Sequence, residues 1–360
     1  MRPGRRDKVT PAPAVFPHAP GTSRRASRVR GGVRPKFRKG YRQDMAPNLP
    51  DLASVSARTL RAFGKRIPGA GEVLAQSLED AVGDRTVMIT GASSGIGKSA
   101  ALKVGAAGGT VLLVARTEEK LRDAASEIER RGGVAHVQTC DLSDPDDIDR
   151  MAGEALERHG HVDILVNNAG KSIRRSVSRS YDRFHDYQRT MQLNYFGPVK
   201  LILDVLPGMR ERGSGHIINV STMGLQTNTP RFSAYLASKA ALDAFSRSIG
   251  PEIIDDGVHI TTVYMPLVRT PMIAPTKIYD RFPTLSPNEA ADLICDAIRK
   301  RPKRVATALG TLGQLSYALV PGAQDLVVNR AYKLFPEGKP SDRESAEQRA
   351  FVRATRGVHW

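Results

Sequence analysis

The 360-residue chain has only two cysteines, Cys140 and Cys295, and a single tryptophan. The two cysteines are far apart and lack Cys-x-x-Cys spacing. Neither a disulfide framework nor a zinc ribbon is expected, and both thiols suit a reducing cytoplasm as buried packing residues. The eight histidines are scattered, none paired at metal-ligand spacing, so no metal site is expected. No run of about 18 apolar residues occurs, which argues against a membrane span. Carboxylates are also scarce: 37 Asp and Glu face 54 Lys and Arg, a formal charge of +17.

That imbalance is unevenly distributed. Residues 1–44 hold 13 Lys or Arg against Asp7 and Asp44, leaving about +6 for the rest. Residues 1–45 are rich in Arg, Pro and Gly and poor in large apolar side chains, so this basic tail is expected to be disordered. Two readings of it stay open. It is a basic arm for nucleic acid, anionic lipid or an acidic partner, or it is an upstream extension and translation begins at Met45. No apolar stretch of about 7–15 residues follows Arg5-Arg6 or Arg24-Arg25, so a signal peptide is not expected. No nucleic acid is expected for the folded body.

From residue 84 onward, short β-branched runs alternate with segments of helical period. The expected strands are Thr86–Thr90, Thr110–Ala115, Val134–Thr139, Val162–Asn167, His216–Val220 and Val258–Met265. The expected helices are Lys98–Ala107, Glu118–Arg131, Pro145–His159, Phe184–Arg212 and Ser233–Asp255. This alternation predicts an α/β fold, a doubly wound parallel sheet of Rossmann type with both faces covered. Residues 84–270 form the dinucleotide-binding catalytic domain of this reading, preceded by a helical or irregular lead-in at 46–83. Residues 271–336 form a helix-rich substrate-binding extension of the same single domain, with a candidate edge strand at Arg304–Leu309. Residues 337–360 form a polar tail.

Gly91, Gly95 and Gly97 follow the first strand and open a helix, in the run Thr90-Gly91-Ala92-Ser93-Ser94-Gly95-Ile96-Gly97. In that context glycines let the backbone approach a pyrophosphate, which the helix amino terminus attracts. Ser93, Ser94 and Ile96 complete the expected cradle. The second strand ends in Arg116 rather than a carboxylate. A guanidinium at that point accommodates a 2′-phosphate and predicts NADPH over NADH. Asp141, after the third strand, is placed to accept a hydrogen bond from the adenine amino group. Asn168, Ala169 and Gly170 end the fourth strand at the same edge.

Tyr235 and Lys239 are four residues apart and share one helix face. A cation beside a phenol favours phenolate, so the lysine is expected to make Tyr235 more acidic and ready for proton transfer.

Taken together, these motifs resemble the short-chain dehydrogenase/reductase superfamily: T-G-x-x-x-G-x-G at 90–97, N-N-A-G at 167–170, Asn194, a hydroxyl pair near 221 and Y-x-x-x-K at 235–239. The resemblance implies that Tyr235 is the general acid/base. Lys239 then binds the nicotinamide ribose, and Asn194 holds a relay water. Either Thr222, 13 residues before the tyrosine, or Ser221 orients the substrate. Thr270 is the implied contact to the cofactor amide, although the usual Pro-Gly before it is Pro266-Leu267 here. A narrower likeness, carried by Lys171–Arg175, Asp182–Asp186, Thr190–Tyr195, Met265–Thr276 and Arg301–Arg304, is to bacterial fatty acyl-CoA reductases that form aldehydes. It implies an acyl-CoA substrate. Arg174, Arg175 and the Lys300–Arg304 cluster fit the phosphates of coenzyme A, and they also read as a solvated basic face. A homo-oligomer and peripheral membrane contact are further expectations. The residues alone leave open a ketone or alcohol oxidoreductase of the same superfamily, or a binding scaffold.

Overall fold

The computed structural model describes residues 77–335 apart from Pro275, together with Gln348 and Val352. The tail at 1–45, most of the lead-in at 46–83 and the tail at 337–360 lie outside the described residues or almost so. The chain enters through a short helix α1 (Leu78–Val82), closed by a capping box in which Ser77 and Asp80 bond each other's backbone. It then alternates β1 (Thr86–Thr90), α2 (Gly95–Ala106), β2 (Thr110–Ala115), α3 (Glu118–Glu129), β3 (Val134–Thr139), α4 (Pro145–His159) and β4 (Ile164–Asn167). After β4 come α5 (Phe184–Met191), a π turn (Gln192–Phe196) and α6 (Gly197–Glu211). The remainder is β5 (Gly215–Thr222), α7 (Met223–Thr227), α8 (Ser233–Ile249), β6 (Val258–Met265), α9 (Pro287–Lys300), β7 (Arg304–Val305), α10 (Ala308–Leu319) and α11 (Pro321–Leu334).

All seven strands are parallel, in the order β3-β2-β1-β4-β5-β6-β7. This is the doubly wound sheet that the alternation implies, and right-handed crossovers place helices on both faces. Strand alternation divides the core in two. Val87, Ile89, Val111, Leu113, Ile164, Val166 and Ile218 face α2, α3 and α9. Met88, Leu112, Val114, Leu165 and Ile217 face α4 and α6. Strands buried on both sides are continuous apolar runs for this reason. Truncating one of these, such as Leu112→Ala, costs about 2–5 kcal/mol through lost transfer energy and a cavity.

Phe184–Glu211 is helical throughout, as expected, but a π turn at Gln192–Phe196 interrupts its α period, and Asn194 within that turn is fully buried. One expected element differs. The strand expected at Arg304–Leu309 stops after two residues. Thr307 caps α10 there by accepting from the Gly310 amide at 3.0 Å. Gly310 then seats directly on Gln226 of α7, with no room for a Cβ. That tertiary contact, absent from any local pattern, decides helix over strand.

Candidate active site

At the point where the strand order reverses, β1 and β4 diverge at their carboxyl ends and leave a crevice. Thr90 and Asn168 hold its two lips together. The Thr90 hydroxyl oxygen accepts from the amides of Asn168 and Ala169, each at 3.0 Å. The Asn168 side-chain amide donates to the Thr90 carbonyl at 2.9 Å. Gly91 lies in the left-handed region, φ +68°, and an added Cβ would press on Ala169 at 3.0 Å. Gly97 has no space for a Cβ at all against the Gly91 carbonyl. The turn is thus shaped by backbone against backbone.

This cradle fits a dinucleotide diphosphate. Ser94 at the cap of α2 makes no side-chain capping bond, so the first amides of the helix remain available to an anion. Ser93 and Ile96 are partly open around the same turn. Thr270 reaches over from the segment after β6, its methyl 3.3 Å from where a Gly95 Cβ would stand. Arg116 is exposed at the tip of β2, without a side-chain partner among the described residues. Asp141 is partly buried after β3, and one of its carboxylate oxygens accepts from the Ser143 amide at 2.9 Å.

The other wall is built by β5 and α8. Lys239 is buried, and its Nζ donates to the Val220 carbonyl at 2.7 Å. Gly170 packs beside both Lys239 and Asn194, a Cβ there meeting the Asn194 Oδ1 at 3.2 Å and the Lys239 Nζ at 3.5 Å. Two residues beyond Val220, the Thr222 side chain lies near enough to the Tyr235 phenol to draw its pKa down, and its hydroxyl accepts from the Gly224 amide at 3.1 Å. Ser221 points the other way along the strand, buried and without a hydrogen-bond partner. The geometry therefore brings Thr222 to the phenol, not Ser221.

The charge states depart from expectation in one respect. Burial pushes the Tyr235 phenol up to about 12, with Thr222 acting in the opposite direction and Tyr279 adding to the rise. The Lys239 ammonium donates to the Val220 carbonyl. Burial pushes Lys239 itself down to about 8. Desolvation of both groups outweighs their spacing of one helical turn.

Asn194 is fully used as a clamp. Its Oδ1 accepts from the Lys171 amide at 2.8 Å, and its Nδ2 donates to the Lys171 carbonyl and to Ser238 Oγ, each at 2.9 Å. Ser238 donates onward to the Tyr235 carbonyl at 2.7 Å. The side chain is thus committed to tying the end of β4 to α8, which leaves only its main chain for a relay water.

Arg174 and Arg175 separate. Arg175 is 3.2 Å from Asp186, a buried carboxylate also bridged by Arg183 and Arg189. Burial alone would raise the pKa of Asp186, but the three guanidinium groups hold it below the usual carboxylate range. Arg175 is thereby committed to fixing the loop. Arg174 makes no such ion pair among the described residues; its charge and that of Arg231 draw down the Tyr279 phenol, which burial pushes up. Thr90, Ser238, Tyr279 and Arg231 are contributors that sequence reasoning missed. Thr90 and Ser238 sat inside the quoted motifs, whereas nothing local marks Tyr279 or Arg231.

A family profile described as short chain dehydrogenase matches residues 85–278. The chain belongs to the short-chain dehydrogenase/reductase family. It is 54% identical over 300 residues to an uncharacterised oxidoreductase of Mycobacterium tuberculosis, covering 80% of this chain and 88% of the relative. It is 52% identical over 280 residues to a fatty acyl-CoA reductase of Acinetobacter baylyi, covering 77% of this chain and 95% of that one. A crystal structure of a metagenomic short-chain oxidoreductase in complex with NADP superposes with a TM-score of 0.54 at 30% identity, covering 62% of this chain and 97% of its own. This short-chain dehydrogenase/reductase is an oxidoreductase that uses a nicotinamide cofactor. No described helix is long and apolar enough to cross a membrane, and no described cluster of His, Cys, Asp or Glu could hold a metal ion.

Proposed function

We propose that the protein reduces long-chain fatty acyl-CoA to the fatty aldehyde with NADPH, releasing coenzyme A. The observation that carries this reading is identity of 52% along nearly the whole length of the Acinetobacter baylyi fatty acyl-CoA reductase, combined with an intact hydroxyl, phenol and ammonium set at the end of β5. NADPH, when bound, supplies the hydride.

Gly91, Ser93, Ser94, Gly95, Ile96 and Gly97 would hold the diphosphate, and Arg116 the 2′-phosphate. Asp141 would meet the adenine. Asn168, Ala169 and Gly170 would flank the nicotinamide half, with Thr270 against its amide. Lys239 would release the Val220 carbonyl in favour of the ribose hydroxyls. Thr222 and Tyr235 donate to the thioester oxygen as negative charge develops there. Tyr235 protonates that oxygen to give a hemithioacetal. The hydroxyl proton returns to Tyr235 as the carbon–sulfur bond breaks, and the departing thiolate takes a proton from solvent. Lys239 and the Asn194 main chain would stabilise the transient Tyr235 phenolate between those two transfers. Arg174 is the candidate for coenzyme A phosphate, since Arg175 is held by Asp186.

Palmitoyl-CoA with NADPH tests the reading: thiol should appear in step with NADPH loss, together with hexadecanal. NADPH consumption with ketones but no thiol release from acyl-CoA would reassign the enzyme to ketone reduction.

A further inference from the structure

Beside this cleft lies a helix pair with its polarity reversed. α10 turns its small residues inward. Gly310 abuts Gln226, and a Cβ on Gly313 would meet Thr227 at 3.1 Å. Its outward stripe is Ala308, Leu312, Leu315 and Leu319, and the three leucines are 49%, 48% and 71% exposed. A helix facing water is expected to be polar on that side. Residues 308–320 contain no charged side chain at all. In α11 Leu326, 66% exposed, and Val327 are also open to solvent. The helix ends in two exposed cations, Arg330 and Lys333, against the lone acid Asp325.

The pair is firmly seated. Arg231 donates to the Tyr332 carbonyl at 2.9 Å and stacks on the Tyr332 ring, its guanidinium 4.0 Å from the centroid. Phe335 packs edge-on to Phe282, with 5.6 Å between ring centroids. Arg231 lies four residues before the proposed acid Tyr235, and α7 follows directly on Thr222. A rigid apolar surface thus borders the mouth of the cleft.

We propose that the α10–α11 hairpin docks the protein on the surface of an anionic lipid bilayer, with the leucine stripe in the acyl boundary and Arg330 and Lys333 at the headgroups. Several features favour lipid over a protein partner. The outward stripe offers no hydrogen-bonding group to a partner backbone. Cations flank it at one end, as in helices that lie in a membrane interface. Outside residues 1–44 the chain still carries about +6, which an anionic surface attracts. An exposed apolar patch of this kind marks an interaction site rather than ordinary surface.

Vesicle flotation of the full chain tests the proposal, with phosphatidylcholine alone compared with phosphatidylcholine containing phosphatidylglycerol. Wild type should float with the anionic vesicles. Leu315→Glu/Leu319→Glu should lower the bound fraction about tenfold, with the Tm and the far-ultraviolet circular dichroism of the folded protein unchanged. Arg330→Glu/Lys333→Glu should weaken binding and remove part of its salt sensitivity. The leucine pair separates the hairpin from the basic segment at 1–44, which every variant retains. Should the glutamate pair unfold, Leu315→Gln/Leu319→Gln serves in its place. Equal flotation of wild type and leucine variant would overturn the proposal. So would failure of wild type to float, or a dimer in light scattering that the leucine variant turns into monomer. Binding is read without substrate, so its failure leaves the reductase reading standing.

Discussion

Lys239 Nζ donates to the Val220 carbonyl at 2.7 Å, and two residues along the same strand the Thr222 side chain lies beside the Tyr235 phenol. One strand end therefore meets both members of the Tyr-x-x-x-Lys pair. With Lys239 pushed down to about 8 by burial, the ammonium is present below that pH and lost above it. The kcat/KM for reduction should stay level below pH 8 and fall about tenfold per unit above it. Tyr235, at about 12, remains protonated over that range, so the falling limb belongs to the lysine. Lys239→Arg, which cannot lose its charge, should abolish the limb even where the rate is low. A pH–rate profile from pH 6 to 10 for both proteins checks this, and an unchanged limb in the arginine variant would contradict it.

The two candidate hydroxyls should behave oppositely. Thr222→Ala removes a donor to the developing oxyanion and should lower kcat by about 100-fold or more. Ser221→Ala removes a buried hydroxyl with no partner and should leave kcat within about twofold. Steady-state kinetics on the two single variants decide between them, and the reverse order would move the oxyanion contact to Ser221.

Arg116 is the residue on which cofactor choice should turn. Replacing a charge-assisted bidentate contact by a carboxylate, Arg116→Asp, should raise the Kd for NADPH about 10–100-fold. NADH binding should change far less. Fluorescence titration with both cofactors measures the ratio, and a preserved preference for NADPH would place the 2′-phosphate elsewhere.

Acid stability should report on His216, which is fully buried between β5 and β6 with its Nε2 2.9 Å from Thr261 Oγ1. Burial pushes it down to about 3, whereas the unfolded imidazole titrates near 6.5. Below about 6.5 the unfolded chain binds the extra proton, so stability is complete above that pH and declines as pH falls toward 3. At pH 5 the loss from this residue is about 2 kcal/mol. His216→Gln, which keeps a donor to Thr261, should shrink the difference in Tm between pH 7.5 and pH 5. His159 and His259, also pushed down by burial, account for the part that persists. An unaltered difference would show that His216 is not the acid-sensitive group.

The sequence by itself determined the sheet and the cradle, because both are written in local chemistry. Strands buried on two faces must be continuous apolar runs, as Thr110–Ala115 is. A backbone turn with no space for a Cβ must be glycine, as at Gly97. Tertiary structure decided what depends on direction and desolvation. The π turn that aims Asn194 inward leaves no trace in a helical period running from Phe184 to Arg212. Bringing Thr222 rather than Ser221 toward the phenol required the pleat of β5 against α8. Arg174 and Arg175 are identical in sequence terms, yet only the buried Asp186 separates a loop anchor from a free-facing cation. The spacing of Tyr235 and Lys239 promised a more acidic phenol, but how deeply each group is withdrawn from water is a property of the packed whole, and it sends the tyrosine the other way.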